Sequence, residues 1–61
     1  MKGRELIQKC ESVGWVLDRV ESSHHIMKHP NKSYNLSIPV HGSKDIPKGL
    51  LHKLLKQAGL K

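Results

Sequence analysis

Three of the five histidines lie within six consecutive residues, at His24, His25 and His29. Histidine is the only side chain whose ordinary pKa lets it take up and release a proton near neutral pH, so this cluster indicates acid/base chemistry. Pro30 and the turn residues at 31–33 follow the cluster directly. We therefore expect the histidines on an extended segment that ends in a tight connection.

A metal site is disfavoured by the spacing of these histidines. On a strand, His25 and His29 share a face but lie about 13 Å apart, whereas His24 and His25 point to opposite faces. A helical arrangement is disfavoured because Pro30 follows His29. Ser22 and Ser23 have no glycine-rich nucleophile elbow around them. The sequence thus predicts no metal and no cofactor, and leaves acid/base catalysis by one histidine, with basic residues holding an anion.

RNA suits that chemistry because its 2′-hydroxyl is a built-in nucleophile. The chain has 61 residues, with 11 Lys plus Arg against 5 Asp plus Glu, and a formal charge of +6. Such an excess indicates a polyanionic partner, either nucleic acid or an acidic protein. No apolar run suits a signal peptide or a membrane span, and a lone cysteine, Cys10, fits a reducing compartment. We expect a cytoplasmic protein with one domain, residues 1–61.

The elements that must position these residues follow from hydrophobic periodicity. The pattern predicts a helix over residues 4–13 and strands over 15–20, 24–29 and 34–40. A final helix follows, with Asp45 or Ile46 as its cap, Pro47 in its first turn and a leucine-rich face. Two amphipathic helices and a sheet with one apolar face pack economically with both helices on the same side. The predicted class is α+β, in the α-β-β-β-α order of the double-stranded-RNA-binding domain.

Periodicity leaves the orientation of two strands open. In the first strand, it does not decide whether Leu17 or Val20 faces the core. In the second, an inward Met27 would place His24 and Lys28 together on the solvent face, whereas an inward Ile26 would expose His25 instead. Trp15, beside a helix end, is expected to anchor the core, and Cys10 to be a small buried hydrophobe.

Six short strings occur in order along the chain: Gly14-Trp15, Ser23-His24-His25, His29-Pro30, Ile38-Pro39-Val40-His41, Asp45-Ile46-Pro47-Lys48-Gly49 and Lys56-Gln57-Ala58-Gly59-Leu60. Together they resemble the HicA (YcfA-like) mRNA interferase toxins over nearly the whole chain. The resemblance implies a dsRBD-like fold, RNA cleavage by one strand histidine, and inhibition by a cognate HicB antitoxin.

The family's catalytic histidine follows a Gly-Ser or Gly-Gly pair, a motif that falls best on His24, with His25 as second choice. Ser22 departs from the pattern, because the family usually has glycine there. If this position needs a positive φ, serine costs stability or activity.

The predicted function is a metal-independent endoribonuclease toxin that cleaves mRNA and blocks translation, with phosphate contacts from Lys28, Arg19 and Lys48. His29 and His41 are expected to be turn and loop residues, although either could touch phosphate, and His52 is expected on the surface. One alternative is a non-catalytic RNA-binding module with the same fold and charge. Another is a basic surface that docks an acidic protein.

Overall fold

A computed structural model of the chain describes all 61 residues and shows two helices and three strands. In chain order these are α1 (Gly3–Ser12), β1 (Val16–Glu21), β2 (His24–Lys28), β3 (Leu36–Pro39) and α2 (Lys48–Ala58). The predicted element order is confirmed, and each predicted boundary lies within two residues of the observed one. One detail of α2 differs from the prediction, because Pro47 occupies the N-cap position instead of the first helical turn. Neither helix is long and apolar enough to cross a bilayer.

The strands form one antiparallel sheet in the order β1-β2-β3, with β2 in the centre. Along β2, His24 pairs with Glu21 on one side and with Pro39 on the other. The register of the β1–β2 pair shifts between Leu17 and Arg19, which leaves no cross-strand partner for Asp18. Residues paired across a sheet share a face, so Glu21, His24 and Pro39 lie on the same side.

The hydrophobic core covers the other side of this sheet. Met27 pairs with Leu36 and His25 pairs with Ile38, and the side chains of Met27, Leu36 and Ile38 are at most 1 % exposed. The core is completed by Leu6 and Cys10 from α1, Leu54 and Ala58 from α2, and Trp15 and Ile46. Both helices therefore pack on the face that carries Met27, as predicted, and the α+β class is confirmed. An inward Met27 also decides the orientation of β2: His24 and Lys28 face outward.

Strand β1 differs from the other two strands because all six of its residues are exposed. Leu17 pairs with Met27 and Val20 pairs with His25, so both lie on the side of the sheet that carries the core. Both stay exposed, because β1 is an edge strand and the helices pack over β3. Just before β1, Trp15 is 2 % exposed, and its Nε1 donates a hydrogen bond to the carbonyl oxygen of Ala58 at 3.0 Å. The expectation that Trp15 anchors the core is confirmed.

The start of the chain is tied to β3 and to the loop before α2. The Ile46 N–H donates to the Met1 carbonyl oxygen at 2.8 Å, and Lys2 forms an isolated bridge with Asp45. Gly3 opens α1 so close to β3 that a Cβ atom there would lie 2.2 Å from the Pro39 carbonyl oxygen. These contacts fix the position of Pro39, the strand partner of His24.

Candidate active site

The structure has one surface pocket, on the face of the sheet opposite the core. Its volume is about 440 Å³, within the range of ligand sites in proteins. Three lining residues come from the outer face of the sheet, one from the loop after β3, and two from the start of α2. In that order they are His24, Ser37, Pro39, His41, Pro47 and Leu50.

His24 is held in this pocket because it begins the central strand. A two-residue turn, Ser22-Ser23, connects β1 to β2. Ser22 has φ = 57°, and Ser23 does not have a positive φ. Positive φ at only the first central residue is the pattern of a type II′ hairpin turn, a position that favours glycine. His24 therefore lies directly after the hairpin turn, and Ser22 occupies a turn position where the backbone geometry favours glycine.

The pairing of β2 with β3 brings the ring of His24 close to Pro39. The Val40 N–H donates to the Ser23 carbonyl oxygen at 2.8 Å. In an antiparallel pair the next position, His24 with Pro39, exchanges no hydrogen bonds, and side chains approach most closely there. Pro39, the last residue of the edge strand β3, therefore removes no hydrogen bond from the ladder.

His41, expected from the sequence to be a loop residue that could touch phosphate, lies beside His24, a contact that the sequence analysis did not predict. Its ring centroid lies 6.2 Å from that of His24, with an angle of 83° between the ring planes. The side-chain hydrogen bonds of the protein include none from either ring. The sequence places His41 two residues after Pro39. This position indicates a contact with His24 only once Pro39 is known to pair with His24.

His25, the second choice for the catalytic residue, lies on the opposite face of β2 from the pocket. It pairs with the fully buried Ile38, and its own side chain is partly buried. The Nδ1 atom of His25 is buried and has no hydrogen-bond partner. The geometry therefore favours His24 over His25, because only His24 presents its ring to the pocket.

The other two histidines are engaged elsewhere. The Nε2 atom of His29 lies 3.0 Å from the Val13 carbonyl oxygen, and its Nδ1 accepts a hydrogen bond from the Asn31 N–H at 3.0 Å. His29 lies directly after β2 and begins a turn closed by the Lys32 N–H on its carbonyl oxygen at 3.2 Å, as expected, and its ring is bound to backbone groups. His52 is exposed on α2, where Lys61 donates a hydrogen bond to its Nδ1.

The three residues predicted to contact phosphate differ in whether their charges already form ion pairs within the protein. Arg19 is held by the carboxylates of Glu21 and Asp18, each at 2.6 Å, and these hydrogen bonds raise its pKa. Lys28 lies on the same face as His24, with its Nζ 3.7 Å from an Asp18 oxygen. Lys48 follows Pro47, is exposed and forms no ion pair. The structure thus favours Lys48, then Lys28, and weakens the case for Arg19.

Two other kinds of chemistry find little support in the structure. Cys10 is fully buried, and burial, followed by the nearby charge of Glu11, raises the pKa of its thiol to about 11. A buried thiol that keeps its proton is a poor nucleophile. No three His, Cys, Asp or Glu side chains come together in a way that could hold a metal ion.

The fold and the pocket define a small basic α+β protein whose pocket is lined by two histidines without hydrogen bonds to the protein, His24 on the outer face of the sheet and His41 in the loop after β3. The family model described as HicA toxin of bacterial toxin-antitoxin matches residues 3–60 of the 61-residue chain. The chain therefore belongs to the HicA toxin family, whose members act within toxin-antitoxin pairs. No curated protein matches the chain significantly.

Proposed function

We propose that this protein is a metal-independent endoribonuclease that cleaves mRNA and blocks translation, and that residues 1–61 act as one HicA-like domain in the cytoplasm. The observation that carries the proposal is the position of His24. Its imidazole is exposed at the only pocket, free of hydrogen bonds to the protein, on a chain with a formal charge of +6. A ring in this position can exchange protons with a bound substrate.

The proposed reaction is a transesterification within the RNA chain. The 2′-hydroxyl of one nucleotide loses its proton and attacks the adjacent phosphorus, the bond from phosphorus to the O5′ atom breaks, and O5′ takes up a proton. His24 performs one of these two proton transfers. Proton transfer by a positioned side chain typically contributes about 10²–10⁴-fold to a rate.

Basic residues around the pocket would hold the phosphates and so fix the register of the RNA. Lys48 follows Pro47, which lines the pocket, and would contact the phosphate nearest to His24. Lys28, on the same strand face, would contact the backbone about 13 Å away. Arg19 belongs to the same proposed surface only if RNA displaces its two carboxylate partners.

The proposed antitoxin is a HicB-type protein. An acidic partner that covers the pocket face would both neutralise the basic surface and exclude RNA. The family consists of toxins of toxin-antitoxin pairs. The high positive charge of this chain favours an acidic protein as its antitoxin.

The decisive experiment incubates the purified protein with single-stranded RNA in excess EDTA. We expect cleavage, because His24 needs no metal to move a proton. A non-catalytic RNA-binding module would only retard the RNA on a native gel. His24→Ala should slow cleavage by at least about 100-fold, and the matched variant His25→Ala, altered on the opposite face of the same strand, should cleave as the parent does. Thermal melts of both variants check that the fold is intact.

A growth assay tests the toxin role separately. Expression of the chain alone should arrest growth, and expression with a HicB-type antitoxin should relieve the arrest. Arrest by His24→Ala at the parent level would contradict the nuclease mechanism, because toxicity would then not depend on the proposed proton transfer.

A further inference from the structure

We propose that His41 is a second catalytic residue, which divides the two proton transfers of RNA cleavage with His24. This inference rests on the nuclease function proposed above and deepens it. Transesterification needs a base at the 2′-oxygen and an acid at the 5′-oxygen in the same step. One imidazole cannot be deprotonated and protonated at once, so a second proton-transfer group speeds the reaction.

The geometry of the pocket favours His41 for this part. The two ring centroids lie 6.2 Å apart and the ring planes are almost perpendicular. The entering and leaving oxygens lie on opposite sides of the phosphorus atom, and a proton-transfer nitrogen must come within about 3 Å of its oxygen. Two rings at this separation can therefore flank one phosphate, with each ring reaching one of the two oxygens.

The backbone positions of His24 and His41 are linked by one hydrogen bond between the start of β2 and the end of β3. The hydrogen bond from the Val40 N–H to the Ser23 carbonyl oxygen joins the residues directly before His41 and directly before His24. A turn closed by the Lys44 N–H on the His41 carbonyl oxygen then fixes the loop. The separation between the rings is thus set by the sheet and by a closed turn, a suitable support for a catalytic pair.

The step balances between the two residues. The neutral imidazole removes the 2′-hydroxyl proton as the bond from O2′ to phosphorus forms. The protonated imidazole gives its proton to O5′ as the bond from phosphorus to O5′ breaks. The products are a 2′,3′-cyclic phosphate and a 5′-hydroxyl, and the two imidazoles have exchanged protonation states.

Charged residues of both signs lie on the segments that carry or adjoin the pair. Glu21 is the cross-strand neighbour of His24, and its carboxylate is bound by Arg19. Lys48 stands at the start of α2, beside Pro47. Lys44 closes the turn that begins at His41. These groups belong to β1, α2 and the intervening loop, and the pH profile of cleavage is measured with all of them in place.

The test compares His24→Ala and His41→Gln on two RNA substrates of the same sequence. One is ordinary RNA, and the other carries a bridging sulfur in place of O5′ at the cleavage site. A thiolate leaves without a proton, so this substrate does not need the acid. We expect each variant to cleave ordinary RNA at least about 100-fold more slowly than the parent. We expect the sulfur substrate to restore one variant and not the other.

The pH dependence gives a second readout that a merely structural role would not move. The parent should show a bell-shaped profile of kcat/KM, and each variant should lose one limb of it. His52→Ala, which removes an exposed histidine on α2, serves as the control and should behave as the parent does. Thermal melts establish that every variant is folded.

The outcomes separate this inference from the proposed function. Restoration of exactly one variant by the sulfur substrate supports the division of roles, and its identity names the acid. Cleavage by His41→Gln at the parent rate, or restoration of both variants or of neither, overturns the division while leaving the nuclease function intact. If the parent cleaves neither substrate, the nuclease function itself fails, and this inference fails with it.

Discussion

The two ends of β2 carry histidines in opposite circumstances. His24, at the start, faces the pocket and forms no hydrogen bond with the protein. His29, just after the end, has both ring nitrogens within 3.0 Å of backbone groups of Val13 and Asn31, and its ring packs against Trp15 at a centroid distance of 5.2 Å. We refer to these regions as the pocket end and the packed end of β2.

The difference gives a structural criterion that separates a histidine available to a substrate from one held by the protein. At the packed end, Nδ1 accepts from the Asn31 N–H, so Nε2 must carry the proton that is donated to the Val13 carbonyl. Because both ring nitrogens of His29 are hydrogen-bonded to the backbone, neither is available to a substrate. At the pocket end both nitrogens of His24 remain available. Sequence clustering alone treats the two residues alike, whereas hydrogen-bond partners distinguish them.

The largest expected effect comes from His24→Ala. We expect the cleavage rate to fall by about 10²–10⁴-fold, while the thermal midpoint stays within experimental error because the ring makes no hydrogen bond to the protein. Cleavage assays and thermal melts on the same preparation measure both quantities. A large loss of stability in this variant would show that the pocket end is structural too, and the comparison would break.

The next largest effect is expected at the packed end, from Gly14→Ala. Gly14 has φ = 102°, and a Cβ atom there would lie 2.7 Å from the His29 Nε2. The substitution combines backbone strain with displacement of the His29 ring, and should cost about 2–3 kcal/mol of unfolding free energy. Denaturant unfolding measures the cost. Gly49→Ala is the matched control, since its Cβ meets nothing within 4 Å and its φ is not positive.

A smaller loss is expected from His29→Ala, the counterpart of His24→Ala. The variant loses two hydrogen bonds to backbone groups that water can partly replace, because His29 is only partly buried. We expect a loss of about 1–2 kcal/mol in unfolding free energy, with cleavage by the folded protein near the parent rate. Retained stability together with abolished cleavage would reverse the assignment of the two ends.

Most of the fold could be predicted from the sequence because its signals are local. The leucines of α2 and the alternation of Leu36 and Ile38 in β3 follow the periods of a helix and a half-buried strand. The orientation of β1 could not be predicted from the sequence. Its apolar residues, Val16 and Val20 among them, are exposed, so no burial pattern marks a core face. An edge strand outside the helical cover leaves no such pattern in the sequence.

One part of the candidate site could be predicted from the sequence, and the other part depends on the register between β2 and β3. His24 could be found from its own segment and from the family resemblance. The meeting of His24 with His41 depends on the pairing of His24 with Pro39, and register between distant segments is a tertiary property that local propensity does not encode. The ion pairs of Arg19 depend likewise on the irregularity of β1 around Asp18.

The smallest predicted effect concerns the turns before β1 and β2. Each turn uses a positive φ. Gly14 supplies it before β1, next to His29 of the packed end, and Ser22 supplies it before His24 at the pocket end. Glycine adopts this conformation without strain, whereas serine does not. We therefore expect Ser22→Gly to stabilise the protein by about 0.5–1 kcal/mol, the relief of strain being partly offset by the greater freedom of glycine in the unfolded chain.

Ser23→Gly is the matched control for Ser22→Gly. Ser23 lies next in the same turn and does not have a positive φ, so glycine there relieves no strain and only adds freedom to the unfolded chain. We expect Ser23→Gly to destabilise the protein by about 0.5–1 kcal/mol, so that the two variants shift the thermal midpoint in opposite directions. If both variants lower the midpoint, serine at position 22 carries no strain, and its departure from the family's glycine has no cost in stability.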